Sequence, residues 1–231
     1  MIKRILGDII RLFYPAICPG CGQPLLKNEN VLCLGCEIKL PRTGFLIHPE
    51  NPVEKIFWGR LPLNHASAFL YFRKSGLAQN LMHRLKYKNH RELGIRLGYM
   101  AGIEYRDVLK TMAIDALTVV PLHSKKLKTR GYNQSQLVAE GFSLATGIPL
   151  LTGVLVRQHA SETQTKKKRY ERWENIENLF DVADTGSVAG KHILLIDDVI
   201  TTGATIEACG KALVAVPDTR LSVLGLCLSV H

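Results

Sequence analysis

Two adjacent acids and a hydroxyl-rich loop follow one apolar run, and together they could bind a phosphorylated sugar. Residues 193–196 are all apolar, which is typical of a parallel strand buried on both faces. Asp197 and Asp198 come next, and carboxylates suit sugar hydroxyls or a Mg²⁺ shared with a diphosphate. Residues 199–205 then form a loop that opens into a helix predicted over 206–214. Backbone N–H groups, hydroxyls and a helix amino terminus suit a phosphate monoester. The loop residues expected to hold it are Thr201, Thr202, Gly203, Ala204 and Thr205.

The order of these residues resembles the motif that binds 5-phosphoribosyl-1-pyrophosphate (PRPP) in type I phosphoribosyltransferases. Four apolar residues, two acids, two apolar residues and the sequence TTGAT occur in that order over residues 193–205. The alternative is an ordinary strand–helix turn in which Thr205 caps the helix. The resemblance implies that Asp197 and Asp198 hold the ribose hydroxyls and the metal, with PRPP and Mg²⁺ as the ligands.

A run of cations is expected at the same edge of the sheet. A strand predicted over 117–121 leads into four cations within six residues, from Lys125 to Arg130. The carboxyl ends of parallel strands meet at one edge, where ligands bind. Lys125 and Arg130 are therefore expected to face the pyrophosphate of PRPP, with a solvated loop as the alternative.

A second group of cations lies in a long polar stretch over residues 157–178. A loop of this length inside a compact domain is typical of a lid or of a disordered tract. Type I phosphoribosyltransferases close a loop over the reaction centre. The resemblance therefore implies that Lys166 and Arg169 take part in catalysis.

Two helices before these segments also carry many cations. They are predicted over 76–88 and 91–105, and their cations are Arg84, Lys86, Lys88 and Arg91, together with His83. The pattern fits a solvated helix face equally as well as a hood over the site or a surface for nucleic acid.

The composition favours a folded chain with phosphate-rich partners. The 231 residues are 46% hydrophobic and carry a formal charge of +10, which favours nucleotides, PRPP or nucleic acid. The sequence contains no apolar run of the ~18–20 residues that a membrane helix needs. Asp8 and Arg11 interrupt the apolar amino terminus, so a signal peptide is not expected and a cytoplasmic location is predicted.

Four cysteines near the amino terminus have the spacing of a metal site. Cys18 and Cys21 form one CxxC pair, and Cys33 and Cys36 form a second after eleven residues. Four thiolates give a closed tetrahedral Zn²⁺ site, which predicts a structural zinc. Redox pairs or disulfides are the alternatives, and a cytosolic chain disfavours disulfides.

The chain divides by composition into two predicted domains. Residues 1–60 hold an amphipathic helix over 2–13, the cysteine module and a proline-rich linker, in which Ile56, Phe57, Trp58 and Leu61 are candidates to contact the larger domain. Residues 61–231 form the larger domain. Its predicted strands are 67–73, 117–121, 148–156, 193–196 and 221–228.

Six blocks in sequence order resemble the ComF family of competence-associated proteins, which is also named for DNA-utilisation proteins of the GntX type. The blocks are CPGCGQPL, LCLGC, LKYK, VPLHSKKLKTRGYNQSQLVAEG, QTKKKRYERWENIENLF and the PRPP motif. Lys167 stands where the family usually has an apolar residue. The resemblance implies a phosphoribosyltransferase-like fold, an N-terminal zinc module and a role in the uptake or use of external DNA.

These observations predict an α/β protein: a type I phosphoribosyltransferase-like parallel sheet with helices on both faces, plus a small zinc module. The predicted function is DNA uptake and natural transformation with a PRPP site, and the acceptor of any transfer is left open. The alternative is a catalytically inactive module that senses nucleotide or PRPP and binds single-stranded DNA or a helicase partner. A homo-oligomer and contacts with other DNA-uptake proteins are compatible with either function.

Overall fold

The computed structural model describes residues 15–87, 90–158 and 179–230. The predicted helix over 2–13 and the predicted catalytic cations Lys166 and Arg169 lie outside the described residues, as does Lys88. Within the described part, no helix is both long enough and apolar enough to cross a membrane.

A four-stranded parallel sheet forms the centre of the fold, in the order β1-β6-β5-β2. A separate antiparallel pair joins β3 to β4. The strands are β1 (His65–Phe72), β2 (Ala116–Val119), β3 (Leu155–Arg157), β4 (Phe180–Val182), β5 (His192–Ile200) and β6 (Arg220–Ser229). The prediction of a parallel α/β sheet is confirmed.

The described residues contain seven α-helices, of which the first two precede β1. They are α1 (Leu34–Ile38), α2 (Pro52–Phe57), α3 (Leu77–Tyr87), α4 (Arg91–Met112), α5 (Ser124–Arg130), α6 (Gln134–Thr146) and α7 (Ala204–Val214). A 3₁₀ turn over Phe45–Ile47 precedes α2.

Helices cover both faces of the sheet because the central strands are apolar on both faces. Leu194 and Ile196 of β5 share a buried cluster with α3, α4 and α6. Ile193 and Leu195 point the other way and share a second cluster with α2 and α7. This alternation follows from the two-residue period of a strand.

Close packing of α4 against α6 depends on two glycines. A Cβ at Gly98 would overlap the carbonyl oxygen of Val138, and one at Gly141 would overlap that of Ile95. The two backbones therefore approach more closely than larger side chains would permit.

The amino-terminal module is packed onto the larger sheet-and-helix unit. Its buried residues Cys18, Leu32 and Cys36 belong to the same cluster as the helices α3, α4 and α6. Arg96 of α4 also forms an ion pair with Glu37, with a nitrogen–oxygen distance of 2.6 Å.

Two predicted elements differ in the structure. The linker contains α2, whose Phe57 is buried, so the predicted contact of this segment with the larger domain is present. Of the strand predicted over 148–156, only Leu155 and Val156 lie in β3, and Leu150 forms an isolated bridge to Leu117. The bounds of β3 are set by its pairing with β4, which is distant in sequence. The local composition of residues 148–156 could not predict this pairing.

Candidate functional site

The two acids lie within strand β5, which continues through both of them to Ile200. Asp197 is in register with Gly225 of β6, so the parallel ladder passes the acid pair before it ends. The expected loop over 199–205 is consequently reduced to three residues, because α7 already begins at Ala204. The backbone of both acids is thus held by the hydrogen bonds of the sheet, and neither acid lies in a loop.

Asp197 accepts two hydrogen bonds through one carboxylate oxygen. The Ser135 hydroxyl donates to its Oδ1 over 3.0 Å, and the backbone N–H of Asp198 donates to the same atom over 2.8 Å. Burial of the carboxyl, and then the negative charge of Asp198, raise the pKa of Asp197 to about 7. This carboxyl therefore favours a cation or a proton at its surface.

Asp198 is paired with a cation that the sequence did not single out from its neighbours. Nζ of Lys86 lies 2.7 Å from Oδ2 of Asp198, and both side chains are mostly buried. Lys86 reaches the acid from the last turn of α3. The solvated-face and the hood interpretations of this helix both stay predictions, and Lys86 contacts the acid pair.

Ser135 was also missed, although the sequence carries a signal for the element that positions it. Asn133 caps α6 by accepting the N–H of Ser135 through its side chain. Its Nδ2 donates to the carbonyl oxygen of Val120, just past β2, over 2.9 Å. An asparagine at a helix start is a recognisable N-cap. Only the order of the strands in the sheet, however, places Ser135 in the first turn of α6 beside Asp197.

The phosphate-loop candidate is a tight turn between β5 and α7. Gly203 has φ of 75° and is the N-cap of α7, without a side-chain cap. Thr205 therefore lies in the first turn and does not cap the helix. The turn and Asp197 line one small concavity of about 40 Å³. The residues that share this concavity with Asp197 include Thr201, Thr202, Gly203, Ala204 and Thr205.

Helix α2 and the residues after it hold this turn from outside. A Cβ at Gly203 would lie 2.7 Å from Cε1 of Phe57 and 2.8 Å from Cγ2 of Ile56. Arg60 donates from Nη1 to the carbonyl oxygen of Thr202 over 2.9 Å and also pairs with Glu207 of α7. The sequence predicted that the linker touches the larger domain, but not that it touches the phosphate loop.

The cations over 125–130 form the short helix α5, where a loop was expected. This helix starts after β2, which pairs in parallel with β5, so it lies at the carboxyl edge of the sheet together with the acids. Lys125 is exposed, whereas Arg130 is half-buried and donates to Gln134 over 2.8 Å. The acids, the turn and these cations thus occupy one edge.

An aromatic and cationic cluster borders Lys86. The guanidinium of Arg130 lies 5.4 Å from the ring centroid of Tyr87, and the ring of His83 lies 5.0 Å from it on the same helix. The guanidinium of Arg91 lies 5.4 Å from the ring centroid of Tyr132. Tyr87 remains 60% exposed, so its ring is accessible beside Arg130.

The four cysteines of the amino-terminal module form one cluster, as predicted. Their sulfurs all lie within 4.8 Å of one another, and the sulfurs of Cys21 and Cys33 are 3.6 Å apart. Zn–S bonds of ~2.3 Å place tetrahedral sulfurs about 3.8 Å apart, so the cluster fits zinc. Cys18 accepts the N–H groups of Gly20 and Cys33 at 3.4 Å each, which favours a thiolate.

Backbone hydrogen bonds also change the acidity of this thiol. Burial tends to raise the pKa of Cys18, but the N–H groups directed at its sulfur outweigh burial and lower the pKa to about 7. The residues present can hold a metal such as zinc.

Comparison with known proteins agrees with this geometry. Residues 127–217, which include β5, the turn and α7, match the phosphoribosyl transferase domain. Competence protein F of Haemophilus influenzae is 29% identical over 93% of this chain and 97% of its own length. The DNA utilization protein YhgH of Salmonella typhimurium is 26% identical over 94% and 98%. These matches confirm the resemblance to competence and DNA-utilisation proteins.

Among solved structures, the glutamine PRPP amidotransferase of B. subtilis is 24% identical with a TM-score of 0.43. The match covers 60% of this chain and 27% of that enzyme.

Proposed function

We propose that this chain, a homologue of competence and DNA-utilisation proteins with a phosphoribosyl transferase domain, binds PRPP with Mg²⁺ and acts in the uptake and use of external DNA. One observation carries the proposal. The acid pair Asp197–Asp198, the turn ending at Gly203 and the cations of α5 meet at the carboxyl edge of one parallel sheet. This is the edge at which open α/β sheets bind ligands.

Each part of the edge suits one part of PRPP. The 5-phosphate would accept hydrogen bonds from the turn 201–205, where the partial positive charge of α7 adds to the attraction. Asp197 and Asp198 would hold the ribose hydroxyls and share the Mg²⁺ of the diphosphate, since Mg²⁺ prefers a few carboxylates plus ligand oxygens. Lys125 and Arg130 would contact the pyrophosphate. Bound Mg²⁺ would supply charge neutralisation for the diphosphate.

Transfer would occur at the anomeric carbon of PRPP. A nucleophilic atom of the acceptor forms a bond to that carbon, while the bond to the pyrophosphate oxygen breaks and pyrophosphate leaves with the electron pair. The cations of the edge stabilise the leaving charge, and the acids face the positive charge that develops on the ribose. In the unliganded protein, Lys86 forms an ion pair with Asp198. When PRPP binds, the ammonium group of Lys86 could leave this carboxylate and bind an oxygen of the ligand instead. Lys166 and Arg169 stay predictions for a lid.

Ligand binding can be tested by thermal unfolding. PRPP with Mg²⁺ at about 100 times its Kd should raise the melting temperature by roughly 5–10 °C, because binding to the folded state adds ~2.7 kcal/mol. Asp197→Asn combined with Asp198→Asn should abolish the shift. Asp218→Asn is the control, since Asp218 is an exposed carboxylate in the turn before β6. Equal shifts in the double variant and the wild type would place the ligand elsewhere.

Pyrophosphate release separates an enzyme from a binding module. The protein would be incubated with PRPP, Mg²⁺ and a panel of nucleobases, and released pyrophosphate measured. Release that depends on one base identifies an acceptor. A thermal shift without release, with every base, would instead support the alternative of a PRPP-sensing module.

Single-stranded DNA is the proposed macromolecular partner. The charge of +10 favours phosphate backbones, and the cluster of Tyr87, Arg130 and His83 offers an exposed ring beside a guanidinium, as surfaces that stack nucleobases do. Binding should be sequence-independent and weaken steeply with salt. Arg130 serves both proposals, so PRPP with Mg²⁺ should compete with DNA.

Fluorescence anisotropy of a labelled oligonucleotide at fixed salt, titrated with PRPP, tests this partner. Tyr87→Ala should weaken binding several-fold, whereas Tyr71→Ala, on strand β1, should not. Undiminished binding at saturating PRPP would exclude a shared site, and an absence of binding at low salt would exclude DNA as a direct partner.

The metal of the cysteine cluster is proposed to be a structural Zn²⁺. The proposal is supported by four sulfur donors at tetrahedral spacing, with no oxygen or nitrogen ligand in the cluster that the described residues form. A cytoplasmic location, a boundary near residue 60, a helicase partner and a homo-oligomer stay predictions.

A further inference from the structure

A groove of about 940 Å³ lies between the cysteine module and helix α4, away from the carboxyl edge. One wall is formed by residues 26–32 together with Leu34 and Glu37 of α1. The other wall is α4, through Ile95, Arg96 and Tyr99 and the acid Glu92. The groove is large enough to hold several side chains of a second element.

Apolar side chains stand exposed along both walls. Leu26 is 72% exposed and Leu34 is 61% exposed, on the side of the cysteine module. On α4, Ile95, Tyr99 and Ile103 recur at intervals of four residues, which places them in one stripe down the helix. Tyr99 lines the groove and is 37% exposed, and Ile103, one turn further along α4, is 47% exposed. A contiguous apolar surface of this kind marks a contact site.

The described chain begins beside this groove. The carbonyl oxygen of Ala16 accepts the N–H of Leu25 over 2.7 Å, and Ile17 pairs with Pro24. Residue 15 therefore lies next to Leu26 on the groove wall. A segment that ends at residue 13 is therefore close in sequence to the groove wall.

The sequence of that segment complements the groove. Residues 2–13 place six apolar side chains at the spacing of one helical face: Ile2, Ile5, Leu6, Ile9, Ile10 and Phe13. Three cations and one acid, Lys3, Arg4, Asp8 and Arg11, give the segment a positive balance. The groove has one more carboxylate than it has cations, in a chain that carries +10 overall. As a helix, twelve residues would extend ~18 Å, enough to follow the stripe of α4.

We propose that residues 2–13 occupy this groove within the same chain, with their apolar face against Tyr99 and Ile103 of α4 and Leu26 of the cysteine module. The segment then covers the apolar surface that the module and α4 leave exposed, and it ties the metal site to the helical layer. This inference is independent of the PRPP site.

Hydrogen exchange of the full-length protein tests the contact. In Ile5→Asn with Ile9→Asn, backbone exchange in peptides covering 26–34 and 95–103 should rise at least 5-fold. The control is Arg4→Asn with Asp8→Asn, which changes the polar face with no change in net charge and should leave exchange as in the wild type. Zinc content would be measured for both proteins to show that the cysteine module is intact.

The groove side supplies the second half of the test. Ile103→Asn should lower the melting temperature in the wild-type background and have at most a third of that effect in the Ile5→Asn, Ile9→Asn background, since the contact is already lost. Sedimentation equilibrium should show an oligomeric state that the Ile5→Asn, Ile9→Asn variant leaves unchanged. Unchanged exchange in both variants, or additive melting shifts, would overturn the proposal. A dimer that the apolar-face variant dissociates would also overturn it, because the segment would then bind a second copy.

Discussion

Asp197 and Asp198 are neighbours in the chain, but their side chains meet different surroundings. Asp198 has the ammonium group of Lys86 at 2.7 Å. Asp197 has a hydroxyl and a backbone N–H, and the charge of Asp198 beside it. Burial and the negative charge of Asp198 together raise the pKa of Asp197 above the value of an ordinary aspartate.

The raised pKa of Asp197 predicts how stability changes with pH. Its folded pKa is about 7, above the usual value of 3.8, so between pH 4 and pH 7 the folded state binds more protons than the unfolded state. The free energy of unfolding therefore decreases through this window as pH rises. Asn cannot ionise, so the free energy of unfolding of Asp197→Asn should exceed that of the wild type. The difference should grow between pH 4 and pH 8, to about 1–4 kcal/mol.

Denaturant unfolding at pH 4, 6 and 8 would measure this gain. Asp218→Asn serves as the control, because Asn tolerates the left-handed backbone of that exposed position, where φ is 55°. A pH-independent difference between Asp197→Asn and the wild type would contradict the assigned pKa. Excess Mg²⁺ with PRPP should flatten the wild-type profile, because a bound cation favours the ionised carboxyl.

At the scale of elements, the phosphate turn is held by a helix that precedes the sheet. Ile56 and Phe57 close the space where a side chain at position 203 would stand, and Arg60 binds the carbonyl of Thr202. A helix of six residues from the linker thus fixes the backbone of the turn that is proposed to bind the phosphate.

Gly203→Ala should test this contact. The added Cβ meets Phe57 and Ile56 at under 3 Å, and Ala is also strained at a φ of 75°. A loss of about 2–4 kcal/mol in unfolding free energy is expected, with ~1–2 kcal/mol from the backbone alone. The thermal shift with PRPP and Mg²⁺ should be lost, as the turn must move.

Gly147→Ala is the matched control for that variant. Gly147 has a φ of 76° and no heavy atom within 4 Å of an added Cβ, so it reports the backbone strain alone. Ile56→Ala in the Gly203→Ala background should recover part of the stability by making room. Equal losses at positions 203 and 147 would show that α2 does not press on the turn.

At the scale of the whole molecule, the cysteine module and the helical layer share one buried cluster. Cys18 and Cys36 are buried together with Leu81, Leu93 and Leu97 of α3 and α4. Loss of order around the metal therefore exposes apolar surface that belongs to both parts.

Metal removal should consequently destabilise more than the module. The purified protein is expected to carry about one Zn²⁺ per chain. Chelation should lower the melting temperature of the whole chain, and Cys33→Ser should lower it similarly and abolish sensitivity to chelator. Readdition of Zn²⁺ should restore the melting temperature of the wild type but not that of Cys33→Ser. An unchanged melting temperature after complete metal loss would show that the cluster does not support the fold.

Much of the candidate site could be predicted because its signals are local. The apolar run before Asp197, the threonine-rich turn and the two CxxC pairs each depend on residues close in sequence. Their types predict a buried strand, an anion-binding turn and a cluster of four thiols. The parallel sheet follows from the same runs, since strands buried on both faces are apolar throughout.

Lys86, Ser135 and Arg60 could not be assigned in the same way, because each acts on a residue distant in the chain. Lys86 is one of several cations on its helices, and only the docking of α3 brings it to Asp198. Ser135 reaches Asp197 because β2 pairs with β5 and Asn133 anchors α6 at the end of β2. The short strand β3 likewise exists through its partner β4.

The sequence by itself determined which chemical groups this protein presents: an acid pair, a threonine-rich turn, a run of cations and four thiols. The tertiary structure decided which groups are partners, because burial and charge pairing depend on the distances that sheet order and helix docking set. The ion pair between Lys86 and Asp198, the raised pKa of Asp197 and the close contact of α2 with Gly203 all depend on the tertiary structure. Local composition determines which donors and acceptors are present, whereas packing determines the strength of their interactions.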